Sequence, residues 1–511
     1  MAGNIYSTAA TVGMRLQNGV ALLQQGRLEE AWQALGEVVA ADPDHALAHH
    51  LMGLVLLKAG EVNEGIGLIR RSIALDPRDA AAHGNLGNAL RETGAHDEAL
   101  EACEAALALD PGFLDAQVNR ASALLELGRP AEALAGYDAA LARQPNLAWV
   151  LNNRGNALRA LNRNAEAADS FDKAMALEPG VAEIRVNAGF ARLALGDYAR
   201  GLELLEWRWK SQRMVAYLRS RAFSAPFWRG EEPLAGKTLL LHSEQGFGDI
   251  LQFCRYAKPA ADRGARVVVE VEAPLAALMA TLPGVDQLVE HGQPLPAFDL
   301  HCPMMSLPFA FRTTVETIPA GVPYLFADPA RTAAWAARLG PKTRPRVGLA
   351  WSSGVRPDQP ELKAINGRRN IPLAKLAALK GVNADFFSLQ KGQPAEGEFA
   401  ALDQGAWDGP PIADTAKDIG DFADTAALIE TLDLVVTVDT STAHLAGALG
   451  KPVWIMNRFD ACWRWLPQRL DSPWYPTARL FLQPAIGDWD SVLAEVRSAL
   501  EARFGDRAGR C

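Results

Sequence analysis

A segment near the carboxyl end of the sequence combines a buried strand with residues that suit a phosphate. The segment VDTSTAHLAGALGKPVW (438–454) has an apolar strand that ends at Asp439, a Thr/Ser turn, and a helix that is predicted to begin near Ala443. The free amides and the dipole at a helix N-terminus attract anions. We therefore expect Ser441 or Thr442 to cap this helix while the amides face a phosphate.

Three further residues of this segment are candidates for the same ligand. His444 either contacts the phosphate or is an ordinary hydrogen-bonded helix histidine. Asp439 either contacts a nucleotide ribose or orients the turn, and Thr440 lies in that turn. The sequence leaves these alternatives open.

A second glycine-containing loop carries a carboxylate. In GKTLLLHSEQGFGDILQFCRYA, an apolar strand (238–241) is followed by the loop 245–249 and by a helix with apolar spacing. The loop ends at Asp249, which either acts as a general base or caps the helix. The loop has a single G-x-G and lacks the third glycine of a dinucleotide fingerprint, which argues against a dehydrogenase. The sequence also has no P-loop motif, which argues against a P-loop nucleotide-binding protein.

Basic and small residues of the same region complete the candidate anion site. Arg368 and Arg369 lie in the segment 338–380, which has a local excess of Lys and Arg over Asp and Glu. Other candidates follow two predicted strands, where ligands bind in parallel sheets: Ser352 and Ser353 after RVGLAW, and Gln390 and Lys391 after DFFSL. Each of these has a plain alternative, a simple turn for the serines and a solvated side chain for Lys391.

The strands that must position these residues point to a parallel sheet. The strand at 238–241, its helix and a second strand at 267–271 form a βαβ unit, and further apolar strands occur at 346–351 and 432–439. The second part of the chain is therefore predicted to have two Rossmann-like lobes with parallel, doubly wound sheets.

The first part of the chain repeats every 34 residues. Prolines occur at 43, 77, 111, 145 and 179, and glycines keep the same step with Asn162 and Ala121 as the two exceptions. Each unit reads as a helix, a glycine turn, a second helix and a proline turn. This pattern resembles the tetratricopeptide repeat family over about residues 12–210, which implies an α-helical superhelix that binds a polypeptide.

An asparagine precedes the glycine of the first helix in four successive units. These residues are Asn85, Asn119, Asn153 and Asn187. A carboxamide both donates and accepts, so a row of them could hold an extended peptide by its backbone, or each could bond within its own helix pair. The row resembles the one in protein O-GlcNAc transferases, in which repeats supply a polypeptide to a glycosyltransferase.

The two motifs of the second part also resemble a family. D-T-S-x-x-H-L-A-x-A-L-G-K-P is similar to the nucleotide-sugar diphosphate motif of heptosyltransferase-like glycosyltransferases with GT-B architecture, and G-x-G-D resembles their acceptor-side loop. The resemblance covers about residues 236–500 and implies that Asp249 is the catalytic base. The glycine that usually follows D-T in that family is Ser441 here.

Composition excludes several other classes of protein. The net charge is −9, and the acidic excess lies in residues 1–206, which argues against a nucleic-acid scaffold. No long apolar run, signal peptide or C-x-x-C pair is present, so we expect a cytoplasmic protein with reduced cysteines and no membrane span. Neither D-x-D pair ends a predicted strand, so no metal or other cofactor is expected.

These observations give one domain plan and three functional hypotheses. We expect repeats in 1–210, a linker in 211–235, an acceptor lobe in 236–340 and a donor lobe with a closing helix in 341–511. The first hypothesis is a protein O-glycosyltransferase that moves a sugar from a nucleotide to Ser or Thr of a polypeptide, with flagellin as the acceptor that similar bacterial chains suggest. The alternatives are a repeat adaptor with a degenerate transferase domain, and a transferase acting on a lipid-linked or saccharide acceptor.

Overall fold

The structure is a computed structural model that describes residues 2–354, 367–402 and 407–505. The chain forms two compact units, one made of residues 1–161 with 169–179 and the other of residues 162–168 with 180–511. The predicted boundary at residue 210 is therefore not where the compact units divide. The reason is that the last repeat helices belong to the hydrophobic core of the second unit, through Tyr198 and Leu202.

The repeats are pairs of helices of similar length, as the 34-residue period predicts. The helices are Ala2–Gln24, Leu28–Ala41, Ala46–Ala59, Val62–Leu75, Ala80–Glu92, His96–Leu109, Leu114–Glu126, Pro130–Arg143, Ala148–Ala160, Asn164–Leu177, Ala182–Ala194 and Tyr198–Leu205.

The in-phase residues of the repeats have identifiable structural roles. A Cβ on Gly87 would lie 2.4 Å from Sγ of Cys103, so the missing side chain lets the two helices of that repeat approach closely. Gly94 ends its helix in the left-handed region with φ of +82°, and Asn162 adopts φ of +56° at the equivalent place. Asparagine tolerates this conformation better than other residues with a side chain, which explains the exception in the glycine pattern.

The rest of the second unit contains two parallel sheets. The first has four strands in the order β3-β2-β1-β4, namely β1 (Thr238–His242), β2 (Arg266–Val271), β3 (Gln287–Glu290) and β4 (Leu300–Pro303). The second has six strands in the order β10-β9-β8-β5-β6-β7, namely β5 (Arg346–Ala350), β6 (Asp385–Ser388), β7 (Ile412–Ala413), β8 (Leu434–Val438), β9 (Val453–Asn457) and β10 (Ala478–Leu482). The predicted fold class, helical repeats followed by an α/β region with parallel sheets, is confirmed.

Helices accompany both sheets. They are Gln212–Arg221, Phe247–Phe253, Ala257–Asp262, Ala273–Met279, Leu307–Ala310, Pro329–Leu339, Ala395–Ala400, Phe422–Glu430, Ser441–Ala448 and Trp489–Phe504. One hydrophobic cluster contains residues of both sheets, including Leu241, Val269 and Val435. A second cluster packs the other face of the second sheet against the last helix, through Val436 and Val492.

The segment 211–235, predicted as a linker, is a packed part of the second unit. It contains the helix Gln212–Arg221, and Phe227 forms a parallel bridge with His301 of β4. Trp228 is buried and donates from Nε1 to the carbonyl of Glu232. Its apolar side chains account for this packing, because leaving an indole of this size in water would forfeit its burial free energy.

Candidate functional site

A cavity of about 820 Å³ lies where the carboxyl ends of the strands of both sheets come together. Its walls come mainly from the loops that follow β1 and β2 in the first sheet and β5, β6, β7, β8 and β9 in the second. Ligands of doubly wound sheets bind at this edge. The predicted site residues that line the cavity are Asp249, Ser352, Ser353, Arg369, Gln390, Lys391, Asp439, Thr440, Ser441, Thr442 and His444.

The loop after β1 brings Asp249 to the cavity. The helix Phe247–Phe253 begins directly after Gly246, which occupies the N-cap position, so Asp249 lies in the first helical turn and does not cap the helix. Its carboxylate accepts a hydrogen bond from Nη2 of Arg464 and forms an ion pair with it. Asp249 is therefore oriented by a charged partner that belongs to the second sheet's part of the chain.

Arg464 is a site residue that the sequence analysis missed. It is buried between Trp463 and Trp465, and it also donates from Nε to Oε1 of Gln252 at 2.7 Å and from Nη1 to Sγ of Cys462 at 3.1 Å. Burial works to lower the pKa of Arg464, but Asp249, Cys462 and Asp439 together outweigh it and the pKa is raised. An arginine between two tryptophans was the signal available in the sequence, because a buried arginine needs an anionic partner.

The loop after β8 supplies the opposite wall. The helix Ser441–Ala448 has Thr440 at its N-cap, one or two residues earlier than the predicted caps Ser441 and Thr442. The side chain of Thr440 does not accept from the first amides of this helix. Oγ1 of Thr440 instead lies 3.2 Å from Oγ1 of Thr437 within β8. The helix N-terminus thus faces the cavity, and its first amides could donate hydrogen bonds to a bound anion.

Asp439 and His444 lie on either side of this helix start. Burial works to raise the pKa of Asp439, but the positive Arg369 and the other donors around it lower it. His444 is buried, and burial lowers its pKa to about 4, so its imidazole is neutral near pH 7. Its Nδ1 lies 2.9 Å from the hydroxyl of Tyr475. His444 is thus hydrogen-bonded within the fold and lines the cavity at the same time.

The polar residues after β5 and β6 are engaged mainly with each other. Gln390 is buried, and its Oε1 accepts from the amides of Trp351 and Ser352 at 3.0 and 2.9 Å. Its Nε2 donates to the carbonyls of Ser352 and Lys391. The amide and hydroxyl of Ser353 both donate to Oδ1 of Asn370. Gln390 therefore shapes this wall by fixing the backbone, and has little capacity left for a ligand.

The two predicted arginines differ in their surroundings. Arg368 does not line the cavity and pairs with Asp460 at 3.5 Å. Arg369 lines it, and its Nε is buried without a hydrogen-bond partner among the residues that the structure describes. Lys391 is half exposed beside Glu396. Of the other basic residues in 338–380, Arg356 and Lys363 lie outside the described ranges.

The predicted asparagine row divides between the two compact units, since Asn187 lies in the second. In the first unit, Asn85, Asn119 and Asn153 are all half-buried on the first helix of their repeats. Nδ2 of Asn85 lies 2.9 Å from Nε2 of the buried His50 in the preceding repeat. Oδ1 of Asn153 accepts from Asn152 at 3.5 Å. Asn85 is thus already partnered within the repeats, although by the preceding repeat and not within its own helix pair.

Residues 2–354, 367–402 and 407–505 contain neither a metal-binding cluster nor a membrane-spanning helix. No group of three or more His, Cys, Asp or Glu side chains within these ranges could hold a metal ion. No helix in this part of the chain is both long and apolar enough to cross a membrane.

Comparison with known families supports the assignment of repeats to the first part of the chain. Tetratricopeptide repeats match residues 16–66, 50–113, 90–151 and 148–181. The prediction that the first part of the chain contains such repeats is therefore confirmed. Repeats of this kind form extended surfaces for binding other proteins.

One curated relative is Protein FlbA of Caulobacter vibrioides, which is 30% identical over 296 residues, covering 53% of this chain and 48% of the relative. The chain thus spans about half the length of this curated relative. Solved structures that are similar to a part of the chain include pilF of Pseudomonas aeruginosa, with 20% identity, a TM-score of 0.37, and coverage of 42% of this chain and 99% of that one. A thermophilic TPR protein of Thermus thermophilus, TTC0263, has 22% identity, a TM-score of 0.31, and coverage of 36% and 99%.

Proposed function

We propose that the second unit is a glycosyltransferase that moves a sugar from a nucleotide-sugar onto a hydroxyl of a polypeptide recruited by the repeats. The observation that carries the proposal is the cavity itself. It places the helix N-terminus at Ser441, the cation Arg369 and the carboxylate Asp249 around one space. A diphosphate leaving group needs the first two, and an attacking hydroxyl needs the third.

The donor side of the cavity suits a diphosphate. The amides at the start of the helix Ser441–Ala448 carry partial positive charge, and the guanidinium of Arg369 has a buried nitrogen without a partner among the described residues. Fixed donors of this kind stabilise charge that develops on a leaving group. We propose that these groups, without a metal ion, hold the diphosphate as its bond to the sugar breaks.

Asp249 is the proposed base. The oxygen of the acceptor hydroxyl attacks the anomeric carbon, its proton passes to the Asp249 carboxylate, and the bond from that carbon to the diphosphate oxygen breaks with its electron pair. The ion pair with Arg464 orients the carboxylate before the acceptor arrives. Arg464 is itself fixed by Gln252 and Cys462, so the orientation of Asp249 is built into the cavity wall.

The repeats are proposed to select the acceptor. Asn119 and Asn153 present carboxamides at equivalent places on successive first helices. Changing both to Ala is expected to weaken binding of a polypeptide acceptor without changing nucleotide affinity. A saccharide or lipid-linked acceptor would leave turnover of that double variant unchanged.

The test is the thermal stability of the purified protein with UDP, GDP and ADP and their sugars. A ligand at about 100 times its Kd should add about 2.7 kcal/mol to the unfolding free energy. One nucleotide should stabilise the wild type strongly and Arg369→Met much less. Arg338→Met is the matched control, because Arg338 pairs with Asp418 and does not line the cavity. No stabilisation by any nucleotide would contradict the proposal.

A second candidate function is a protein-binding adaptor whose α/β part has no catalytic role. The observation that favours it is the ion pair of Asp249 with Arg464, since this contact already gives the carboxylate a partner within the fold. An adaptor would keep its partner binding when Asp249 is changed to Asn. A glycosyltransferase would lose transfer of the sugar.

A further inference from the structure

The imidazole of His444 is held from three directions. Its ring stacks on Trp465 with centroids 5.3 Å apart and an interplanar angle of 21°. Its Nδ1 lies 2.9 Å from the Tyr475 hydroxyl. Its opposite edge faces Gly248, because a Cβ on that glycine would lie 3.0 Å from Cδ2 and 3.6 Å from Nε2 of His444. The ring therefore has one orientation, with Nε2 as the nitrogen left for the cavity.

Tyr475 is also held in place by its surroundings. Its side chain is fully buried. Its ring lies against Gly447, where a Cβ would come within 2.4 Å of Cδ1, so only glycine admits the tyrosine at this point of the helix. The guanidinium of Arg255 lies 4.7 Å from the centre of the ring, and Arg255 is itself held by the carbonyl of Trp474 at 2.8 Å.

The pairing of Tyr475 with His444 decides where the imidazole proton lies. A phenol hydroxyl can donate one hydrogen bond, and His444 Nδ1 lies 2.9 Å from the Tyr475 hydroxyl. The Tyr324 hydroxyl also interacts with the Tyr475 hydroxyl, but the Tyr324 oxygen already accepts from Nη2 of Arg255 and its proton is donated to the carbonyl of Leu251. If Nδ1 carried the proton instead, the Tyr475 hydroxyl would lose this acceptor and would be left with the Tyr324 oxygen, which already accepts from Arg255. The cation Arg255 next to the ring also makes the hydroxyl a better donor. The hydroxyl therefore donates to Nδ1, and Nε2 carries the proton.

We infer that Tyr475 is a positioning residue that holds His444 with its proton on Nε2, so that a neutral imidazole donates a hydrogen bond to a phosphate oxygen of the nucleotide. This inference rests on the proposed function, because it names the contact that the donor diphosphate makes. His444 lies in the first turn of the helix Ser441–Ala448, so its Nε2–H would act beside the free amides of that turn.

The charges around the histidine agree with a neutral donor. Burial lowers the pKa of His444 to about 4, with Asp439 and Asp249 opposing the shift and Arg464 adding to it. Burial also raises the pKa of Tyr475, which keeps its hydroxyl protonated. A neutral imidazole has one N–H only, so the tautomer decides whether the cavity meets a donor or a lone pair. A lone pair there would repel a phosphate oxygen.

The first measurement is the ¹⁵N NMR spectrum of the full-length protein labelled at the histidine ring nitrogens. The signals of His444 are assigned by their loss in His444→Ala. The wild type should show a protonated Nε2 and an unprotonated Nδ1. Tyr475→Phe, which removes only the hydroxyl, should bring in a population with the proton on Nδ1.

The second measurement compares the affinities of UDP, GDP and ADP with those of the matching nucleosides. Tyr475→Phe should weaken the diphosphate that binds by about tenfold and leave its nucleoside unchanged, since only the diphosphate meets Nε2. Tyr324→Phe is the matched control. It removes a buried hydroxyl that also lies next to Arg255 and interacts with Tyr475, but that donates to the carbonyl of Leu251 and not to His444. It should change neither the tautomer nor the ratio of affinities.

The outcomes separate this inference from the proposed function. A wild type with the proton on Nδ1, or a Tyr475→Phe variant that binds the diphosphate as tightly as the wild type, would overturn the inference while leaving the proposed function in place. A wild type that binds none of the three diphosphates would overturn the proposed function and the phosphate contact with it, whatever the tautomer.

Discussion

The repeats and the two-sheet region differ in how far apart along the chain their important residues lie. In the repeats, Gly87 packs on Cys103 of the same repeat, and Asn85 bonds to His50 of the preceding one. In the two-sheet region, Asp249 pairs with Arg464, 215 residues away. Periodicity reveals the first kind of contact, because each unit repeats it. The second kind occurs once and leaves no pattern, so only the fold brings it together.

The largest expected effect tests the long-range site. Asp249→Asn should lower sugar transfer to a polypeptide at least about 100-fold, because an amide cannot accept the proton of the attacking hydroxyl. Nucleotide affinity should change little. The measurement is incorporation of labelled sugar at saturating donor.

Asp421→Asn is the control for that variant. Asp421 also lines the cavity and pairs with Arg331 at 2.7 Å, and asparagine can still cap the helix Phe422–Glu430. It should keep most of the activity. Equal losses in both variants would mean that Asp249 acts only through the charge of the cavity.

The long-range pair should also matter for stability. Arg464→Met leaves Asp249 and the buried Gln252 without their partner, and we expect a loss of about 3 kcal/mol in the free energy of unfolding. Denaturant titration of the full chain, followed by the tryptophan fluorescence of the second unit, measures this free energy. Arg469→Met, which breaks the exposed pair with Asp471, should cost under about 1 kcal/mol. Similar losses in the two variants would argue against a structural role for the Asp249 pair.

A third test uses pH. The pKa of His444 is lowered to about 4 in the folded protein, from an ordinary value near 6.5. The stability that this neutral histidine contributes is therefore present above about pH 6.5 and is lost as the pH falls towards 4, by up to about 1.4 kcal/mol for each pH unit. The wild type should lose more unfolding free energy than His444→Gln between pH 6.5 and 4.5. Parallel curves would show that His444 is not buried in its neutral form.

The contrast between these regions also marks what the sequence could predict. The repeats and the parallel sheets followed from spacing, and most of the residues predicted for the donor and catalytic site line the cavity. Arg464 and Tyr475 did not, because a buried arginine or tyrosine gives no sign of its partner in the sequence. Arg368 was placed with Arg369 by adjacency alone, yet neighbouring side chains point in different directions, and Arg368 faces Asp460. The linker prediction relied on Pro and Gly and overlooked Trp228.

Glycines inside the repeats should separate into two classes. Gly87→Ala should cost about 1–2 kcal/mol, because the new Cβ would meet Sγ of Cys103 at 2.4 Å in a buried contact between helices. Gly67→Ala, at an exposed helical position with nothing within 4 Å, should stabilise by about 0.5–1 kcal/mol. Thermal unfolding of both variants measures this. If Gly67→Ala destabilised the protein more than Gly87→Ala, close packing of the two helices would not explain why glycine recurs every 34 residues.

The smallest expected effect tests whether the asparagines form one class. Asn85→Ala should cost about 1 kcal/mol, because it removes the partner of the buried Nε2 of His50. Asn119→Ala should change stability by less than about 0.5 kcal/mol, since a half-buried carboxamide leaves no comparable group unsatisfied. The measurement is denaturant unfolding of each single variant. A clear difference would mean that Asn85 serves the fold and that Asn119 is the better candidate for binding a peptide, although the 34-residue period makes the two look alike. Equal losses of unfolding free energy would mean that Asn85 and Asn119 have the same role, as their shared position in the 34-residue repeat suggests.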